Sequence, residues 1–230
     1  MQDYILFIDT EGSGWPKNWH APYADKKSWP YSVQIAWVVY TRDGVEIKRE
    51  DHYIGDDDFT ISPQSQKIHG IDRAFLQKNG ELRQHVMMLL SDDLLQYQPL
   101  IVGHFMELDM HMIGADFYRA GIANLSVNFP TFCTMKSSTK YAERQNSKYL
   151  RLSELYLALF GTEQPGQHNA ITDAEAAARC FFEMLSRNDI NQTAIDDYNL
   201  KNRYDQPNKP GCALLLLGLL ALVILLIKLL

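Results

Sequence analysis

The sequence predicts an α/β domain built on a mixed sheet of about five strands with helices on its faces. Two observations lead to this fold class: three strand-like segments come first, and short apolar strands then alternate with segments of helical periodicity. The 230 residues, 46% hydrophobic and 22% charged, suit one globular domain with its own core and a short appendage.

The first three predicted strands are residues 4–8, 33–40 and 45–54. Residues 4–8 form an apolar run that ends at Asp9, which is typical of a buried central strand. Asp43-Gly44 separates the second strand from the third, and this dipeptide is a strong hairpin signal. The N-terminus carries no basic segment or cleavage site, so no signal peptide is expected.

The rest of the domain alternates one further strand with four helices. Pro99 ends the first of these helices, Gly121 and Gly161 are suited to end the next two, and Asn169 is suited to begin the last. The predicted elements are a helix at 81–97, a strand at 100–102, and helices at 108–120, 152–160 and 170–185.

Charge and cysteine content restrict the function classes. Cys133, Cys180 and Cys212 are far apart, odd in number and without CxxC spacing, which argues against a disulfide framework or a zinc cluster and favours a reducing compartment. The net charge of −6 is unusual for a nucleic-acid binder. That objection weakens if clustered carboxylates are neutralised by bound cations.

The C-terminal region divides the chain into a domain at 1–200, a polar Pro/Gly linker at 201–211 and an apolar tail at 212–230. About 18 apolar residues give roughly 27 Å of helix, which is barely enough to cross a bilayer. The sequence therefore predicts a C-terminal apolar helix that anchors a cytoplasmic domain to a membrane. A buried C-terminal helix or an oligomerisation element is the alternative.

Several acidic residues stand at predicted strand ends or helix starts. Asp9 and Glu11 are two positions apart at the end of the first strand, so their side chains face the same way. Asp109 and Asp173 each lie in the first turn of a helix, and His168 precedes the helix that carries Asp173. Taken singly, these acids are better explained as solvated loop residues or helix-dipole partners.

The joint order of these residues is more specific than any one of them. Asp9-x-Glu11, then Asp109, then His168-x4-Asp173 resembles the DEDDh 3′–5′ exonucleases of the proofreading-exonuclease superfamily. The resemblance spans residues 4 to about 186 and includes Ile68-His69-Gly70-Ile71, Phe132-Cys133-Thr134, Leu152-Ser153-Glu154-Leu155 and His168-Asn169-Ala170-Ile171-Thr172-Asp173-Ala174. The chain departs from the family at Phe105 and Leu108, where the second motif often has Asn and Phe.

The resemblance implies an RNase H-like fold with a two-metal catalytic site. It implies that Asp9, Glu11, Asp109 and Asp173 bind two divalent metal ions, Mg²⁺ or Mn²⁺, and that His168 is the general base. Paired hard cations suit phosphodiester hydrolysis because they neutralise charge on the attacking and leaving oxygens. The predicted activity releases nucleoside 5′-monophosphates from single-stranded 3′ ends, with DNA favoured over RNA.

Two alternatives remain at this point. One is an RNA 3′-end exoribonuclease of the same chemistry, because the contact to a 2′-hydroxyl depends on local geometry. The other is a non-catalytic, membrane-tethered protein that binds nucleic acid as a scaffold.

Substrate contacts are predicted in two regions. The resemblance implies contacts from Thr10, Gly12 and Ser13 after the first motif and from His104 in the second. The following loop carries Trp15, Trp19 and Trp29, of which Trp15 is the candidate for stacking on a base. Packing of these aromatic residues on the core is the alternative.

A possible phosphate-contacting surface comes from basic residues at helical spacing. On one helix they form a single stripe that faces nucleic acid, anionic lipid or solvent. The residues are Lys136, Lys140, Arg144, Lys148 and Arg151.

Overall fold

The computed structural model describes residues 1–143 and 148–201, and its described part contains one five-stranded sheet. The strands are β1 (Tyr4–Gly12), β2 (Ser32–Thr41), β3 (Glu46–Tyr53), β4 (Leu100–Gly103) and β5 (Thr131–Cys133). Their order in the sheet is β3-β2-β1-β4-β5. β1 pairs antiparallel with β2 and parallel with β4, so the sheet is mixed and the predicted α/β architecture is confirmed.

The central strand β1 is longer than its apolar run. Its segment 5–8 is at most 1% exposed, as expected for a strand covered on both faces. Pairing with β2 continues through Asp9 and Glu11, which lie opposite Ala36 and Gln34. The two carboxylates therefore belong to the strand itself, and the rigid backbone ladder fixes their positions.

Nine helices, and a 3₁₀ turn at Leu125–Asn128, accompany the sheet in the described residues. They are α1 (Pro63–His69), α2 (Arg73–Asn79), α3 (Arg83–Tyr97), α4 (Met106–Ala120), α5 (Thr134–Ser137), α6 (Thr139–Glu143), α7 (Leu152–Phe160), α8 (Ala170–Ser186) and α9 (Gln192–Lys201). The four predicted helices are confirmed by α3, α4, α7 and α8, whose first residues differ from the predicted ones by at most two positions.

α8 packs on the sheet through small side chains. Ala174 and Ala177, on the face toward β1 and β2, are at most 2% exposed, and small residues allow a helix axis to approach a sheet closely. One turn later Phe181 contacts Phe7 of β1 edge to face, with ring centroids 5.5 Å apart. This packing fixes the first turn of α8 against the end of β1.

The prediction of one basic stripe is wrong. The segment folds as two short helices, α5 and α6, interrupted at Ser138, and the chain bends again at 148–149. Lys136 forms an ion pair with Glu107, and Lys140 forms one with Asp189. Arg144 lies outside the described residues. Lys136, Lys140 and Lys148 therefore do not lie on one helix, and a contact of these residues with phosphate stays a prediction.

The predicted linker and apolar tail at 212–230 also lie outside the described residues, apart from Lys201 at the end of α9. In residues 1–143 and 148–201, none of the helices combines the length and the hydropathy needed to cross a membrane.

Candidate metal centre

Four carboxylates converge where the carboxyl end of β1 meets the first turns of two helices. Asp9 and Glu11 lie two positions apart on β1, with Thr10 between them, and both are half-buried. Asp109 lies in the first turn of α4, which directly follows β4, and is only 3% exposed. Thr10 joins the two segments, because its hydroxyl donates a 2.8 Å hydrogen bond to Asp109 Oδ1.

A glycine at the end of β4 makes room for this arrangement. A Cβ atom at Gly103 would lie 3.4 Å from Asp109 Oδ2 and 3.1 Å from the carbonyl oxygen of Ile8. The next residues turn sharply into α4, and Phe105 adopts a left-handed conformation with φ of 68°. Such a conformation is costly for a residue with a side chain, and it is common at functional sites.

The last carboxylate is held by the loop that leads into α8. The Asp173 Oδ2 atom accepts a 3.1 Å hydrogen bond from the backbone N–H of His168, and Oδ1 accepts one from the Gln164 amide. His168 itself has a left-handed backbone, with φ of 63°. Glu11, His168 and Asp173 each place one ligand atom within 4.8 Å of the other two.

The electrostatics of these acids show crowding of like charge. Burial raises the pKa of Glu11 to about 7, and the Asp173 charge contributes. Burial, followed by the charges of Asp109, Asp173 and Glu11, raises the pKa of Asp9 well above its usual range. Burial also raises the pKa of Asp109, and the hydrogen bonds from Thr10 oppose that rise. Bringing several buried carboxylates together is unfavourable unless protons or cations neutralise them.

The donor set fits hard divalent cations. Throughout the described part of the chain, no lysine or arginine forms an ion pair with Asp9, Glu11, Asp109 or Asp173. Oxygen ligands at a site with several uncompensated negative charges are what Mg²⁺ and Mn²⁺ prefer. These four residues are the ones that could hold such ions, with His168 at the edge of the group.

Two buried glutamines hold the site in place, and neither was predicted from the sequence. Gln34 lies opposite Glu11 on β2, is fully buried, and accepts a 3.1 Å hydrogen bond from the backbone N–H of Ala170 at the start of α8. Gln164 is 5% exposed and donates to Asp173. Gln34 could have been recognised from the sequence because it is a polar residue inside the apolar segment 33–40. The sequence around Gln164 has no comparable feature.

Two residues predicted to contact substrate, Ser13 and His104, form hydrogen bonds within the protein. The Ser13 hydroxyl accepts a 2.9 Å hydrogen bond from the Tyr31 N–H, which closes the loop after Gly12. Both ring nitrogens of His104 are engaged within the protein, one with the Thr134 hydroxyl and one with the Leu150 carbonyl, each at 3.0 Å. The prediction that His104 contacts substrate therefore has no geometric support, and the ring instead connects β4 to the segments after β5.

The three tryptophans of the loop are not equivalent. Trp29 is 1% exposed and packs in the core, with its indole N–H donating to the Ala21 carbonyl. Trp15 is 60% exposed and stacks on Phe105, with ring centroids 6.3 Å apart, while Trp19 contacts both rings. We call Trp15, Trp19 and Phe105 the aromatic platform. Phe105 immediately precedes α4, the helix that carries Asp109, and this connects the platform to the metal centre.

A buried arginine holds the base of this loop. The Arg119 guanidinium donates to the carbonyl oxygens of Pro30 and Trp29, at 2.8 and 2.9 Å, and pairs with Asp116. It also covers the Tyr31 ring at 3.7 Å. These contacts attach the loop to α4, so the platform is carried by the same helix as Asp109.

Comparisons with known proteins identify a family and a fold. A family model described as exonuclease (RNase_T) matches residues 6–181. A search of curated proteins gave no match. Solved structures of similar fold include E. coli exonuclease I in complex with a 5cy-dT13 oligonucleotide, at TM-score 0.65 and 18% identity, covering 86% of this chain and 42% of that chain. A zinc-ion-bound complex of E. coli exonuclease I with single-stranded DNA has TM-score 0.67, 18% identity and coverages of 86% and 43%. The chain thus spans less than half the length of these exonuclease I chains.

Proposed function

Because the chain belongs to the RNase_T exonuclease family, we propose that it is a metal-dependent 3′→5′ exonuclease that shortens single-stranded nucleic acid. One observation carries the proposal: Asp9, Glu11, Asp109 and Asp173, which come from β1 and from the first turns of two helices, surround one region beside His168. Surface acids need not converge in this way. Their mutual repulsion suits a site that functions with cations bound.

Asp9, Glu11 and Asp173 would hold divalent ions directly, and Asp109 would support them, directly or through water. Bound Mg²⁺ or Mn²⁺ supplies charge neutralisation at the scissile phosphate and lowers the pKa of an attacking water. The hydrogen bonds from His168 N–H and Gln164 hold Asp173 in one orientation. The Thr10 hydroxyl does the same for Asp109. Preorganised ligands avoid the cost of reorienting during the reaction.

His168 is the proposed general base. Its ring is at the edge of the carboxylate group, and a neutral imidazole has a ring nitrogen that can accept a proton from water. Hydrolysis breaks the bond between the terminal phosphorus and the preceding 3′ oxygen. The water oxygen stays on the phosphorus of the released nucleoside 5′-monophosphate, and the 3′ oxygen takes up a proton. One water proton goes to the His168 imidazole.

Single-stranded DNA is the favoured substrate. Two structures with the same fold contain DNA oligonucleotides or single-stranded DNA. In this chain the exposed face of Trp15 offers a stacking surface for an unpaired base, which suits single strands because a paired base has its faces covered. RNA cleavage by the same chemistry and binding without cleavage are the competing outcomes of the test.

The test is degradation of DNA and RNA oligomers labelled at the 3′ or the 5′ end, with Mg²⁺, Mn²⁺ or a chelator. We expect mononucleotides released from the 3′ end of DNA, with no product in chelator or in a folded Asp9→Ala variant. Asp92→Ala, which changes an exposed acid on α3, is the matched control and retains activity. Faster loss of RNA would favour the RNA alternative, and binding without cleavage would favour the scaffold.

A further inference from the structure

We propose that a cavity between the β2–β3 hairpin and the second half of α8 is a second ligand site, which binds one free nucleoside 5′-monophosphate. The cavity has a volume of about 550 Å³, which is within the range of small-molecule sites in proteins. Because none of the described residues that line it belongs to the candidate metal centre, this binding does not depend on the proposed function. The residues that carry the inference are Tyr40, Arg42, Gly44, Phe160, Arg179 and Phe182.

The cavity and the metal centre lie toward opposite ends of α8 and of β2. Asp173 is in the first turn of α8, and Phe182 lies nine residues later, which is roughly 13 Å along the helix axis. On β2, Gln34 is opposite Glu11, whereas Tyr40 is near the end of the strand that leads into the hairpin. A ligand in the cavity is therefore separate from a ligand bound at the carboxylates.

Arg179 supplies a cation for the phosphate group. Its side chain is exposed, and its guanidinium carbon lies 4.9 Å from the ring centroids of both Tyr156 and Phe160. Within residues 1–143 and 148–201, no carboxylate forms an ion pair with it. A guanidinium stacked on aromatic rings keeps N–H groups at its edge, and this planar fork matches the oxygens of a phosphate. The stacking therefore holds an unneutralised anion-binding group at the wall of the cavity.

Phe182 supplies a stacking surface for the base. Its ring is half-buried and contacts Tyr40 edge to face, with ring centroids 5.6 Å apart. Gly44, in the hairpin, has a left-handed backbone with φ of 83°, and a Cβ atom there would lie 3.7 Å from the Phe182 ring. That is an ordinary contact distance between carbon atoms. Because glycine has no Cβ, the space beside the ring stays open to a flat ligand.

The charges around the cavity favour a single nucleotide over a strand. Arg42 pairs with Asp3, whose side chain is 85% exposed. Such exposed pairs are weak, so the Arg42 guanidinium is available to a ligand phosphate. Asp43 and Glu183 also line the cavity. Their carboxylates can accept hydrogen bonds from the amino group of a base, but they would repel the further phosphates of a strand. Adenosine 5′-monophosphate (AMP) has a flat base, an amino group and one phosphate, so it is the probe.

The binding test titrates AMP, adenosine and inorganic phosphate separately into the full-length protein by calorimetry. A chelator is present throughout, so that the carboxylates of the metal centre repel a phosphate. We expect one site that binds AMP at least about tenfold more tightly than adenosine or phosphate, because stacking and phosphate pairing act on one molecule. Arg179→Gln removes charge-assisted hydrogen bonds and should weaken AMP binding at least about tenfold. Lys78→Gln, which changes an exposed cation on α2, is the control and leaves AMP binding unchanged.

Asp9→Ala separates this site from the metal centre. We expect that variant to bind AMP as the wild type does while losing metal-dependent cleavage, and Arg179→Gln to show the opposite pattern. Circular dichroism checks that each variant is folded. Arg179→Lys, which keeps the charge and loses the planar fork, is the second variant and should also weaken AMP binding.

Three results overturn the proposal. They are the absence of AMP binding to the wild type, equal AMP affinity of the wild type and folded Arg179→Gln, and AMP binding that disappears in Asp9→Ala. A single-stranded DNA oligomer that binds in chelator more tightly than AMP, and through Arg179, also overturns it, because the cavity would then contact a strand. If the wild type cleaves no nucleic acid but binds AMP through Arg179, the nuclease function fails and the nucleotide site stands.

Discussion

Replacing Glu11 with glutamine should stabilise the metal-free protein while abolishing metal-dependent activity. Burial, with a contribution from Asp173, raises the Glu11 pKa from its ordinary 4.5 to about 7. At about 1.4 kcal/mol per pKa unit, this corresponds to roughly 3 kcal/mol of unfavourable free energy when the group is ionised. Glutamine keeps the shape and removes the charge. We expect a gain of about 2–3 kcal/mol, or roughly 5–10 °C in Tm, for a chain of this size.

The size of this gain depends on pH. The folded protein holds the Glu11 proton more tightly than the unfolded chain, so wild-type stability from this group is complete below pH 4.5 and is lost as pH rises through about 7. The advantage of Glu11→Gln should therefore be absent near pH 4, grow between these values and level off near pH 8. Saturating Mg²⁺ should reverse the order, because the cation stabilises only a protein that binds it.

Thermal unfolding in chelator and in Mg²⁺, across this pH range, measures these differences. Glu163→Gln changes an exposed glutamate and serves as the control with no expected pH-dependent gain. A metal-free Glu11→Gln protein that is less stable than the wild type near pH 8 would show that repulsion and burial do not dominate at this position.

Three further changes address neighbouring parts of the site. Gln164→Leu removes the amide that orients Asp173 and should raise the Mg²⁺ concentration needed for half-maximal rate about 10–100-fold; an unchanged metal dependence would contradict the positioning role. Trp15→Ala removes a stacking face worth about 1–3 kcal/mol, so KM for single-stranded DNA, measured by steady-state kinetics, should rise roughly 5–150-fold. Trp15→Phe keeps an aromatic face and should restore most of the lost affinity. An unaltered KM in Trp15→Ala would exclude stacking. Gly103→Ala places a methyl group 3.1 Å from a carbonyl oxygen and close to Asp109. We expect lower activity and a loss of about 1–3 kcal/mol in the free energy of unfolding, measured by denaturant titration. A fully active and fully stable variant would show that the end of β4 can relax.

The parts of the fold that the sequence predicted well are those with long periodic signals. α7 begins and ends where its apolar spacing and Gly161 place it, and α8 begins after Asn169 as expected. α1 and α2, of seven residues each, were missed because such short segments contain too few turns to show a period. The basic stripe failed for a related reason: spacing alone does not reveal the break at Ser138.

The metal centre was predictable as a set of residues but not as a geometry. Spacing placed Asp9 and Glu11 on one face, whereas their proximity to Asp109 depends on the parallel pairing of β1 with β4. The roles of Gln34 and Gln164 could not be predicted, because Gln34 acts on a backbone group 136 residues away. The sequence motif indicates which side chains carry charge, and tertiary contacts determine how they are held.

The proposed function requires that the four carboxylates together hold divalent cations. Anomalous diffraction from crystals soaked in Mn²⁺ shows whether they do. We expect Mn²⁺ peaks within bonding distance of Asp9, Glu11 and Asp173, next to Asp109, that disappear in Asp9→Asn crystals. Well-ordered crystals with these carboxylates in place and no Mn²⁺ among them at saturating concentration would contradict it.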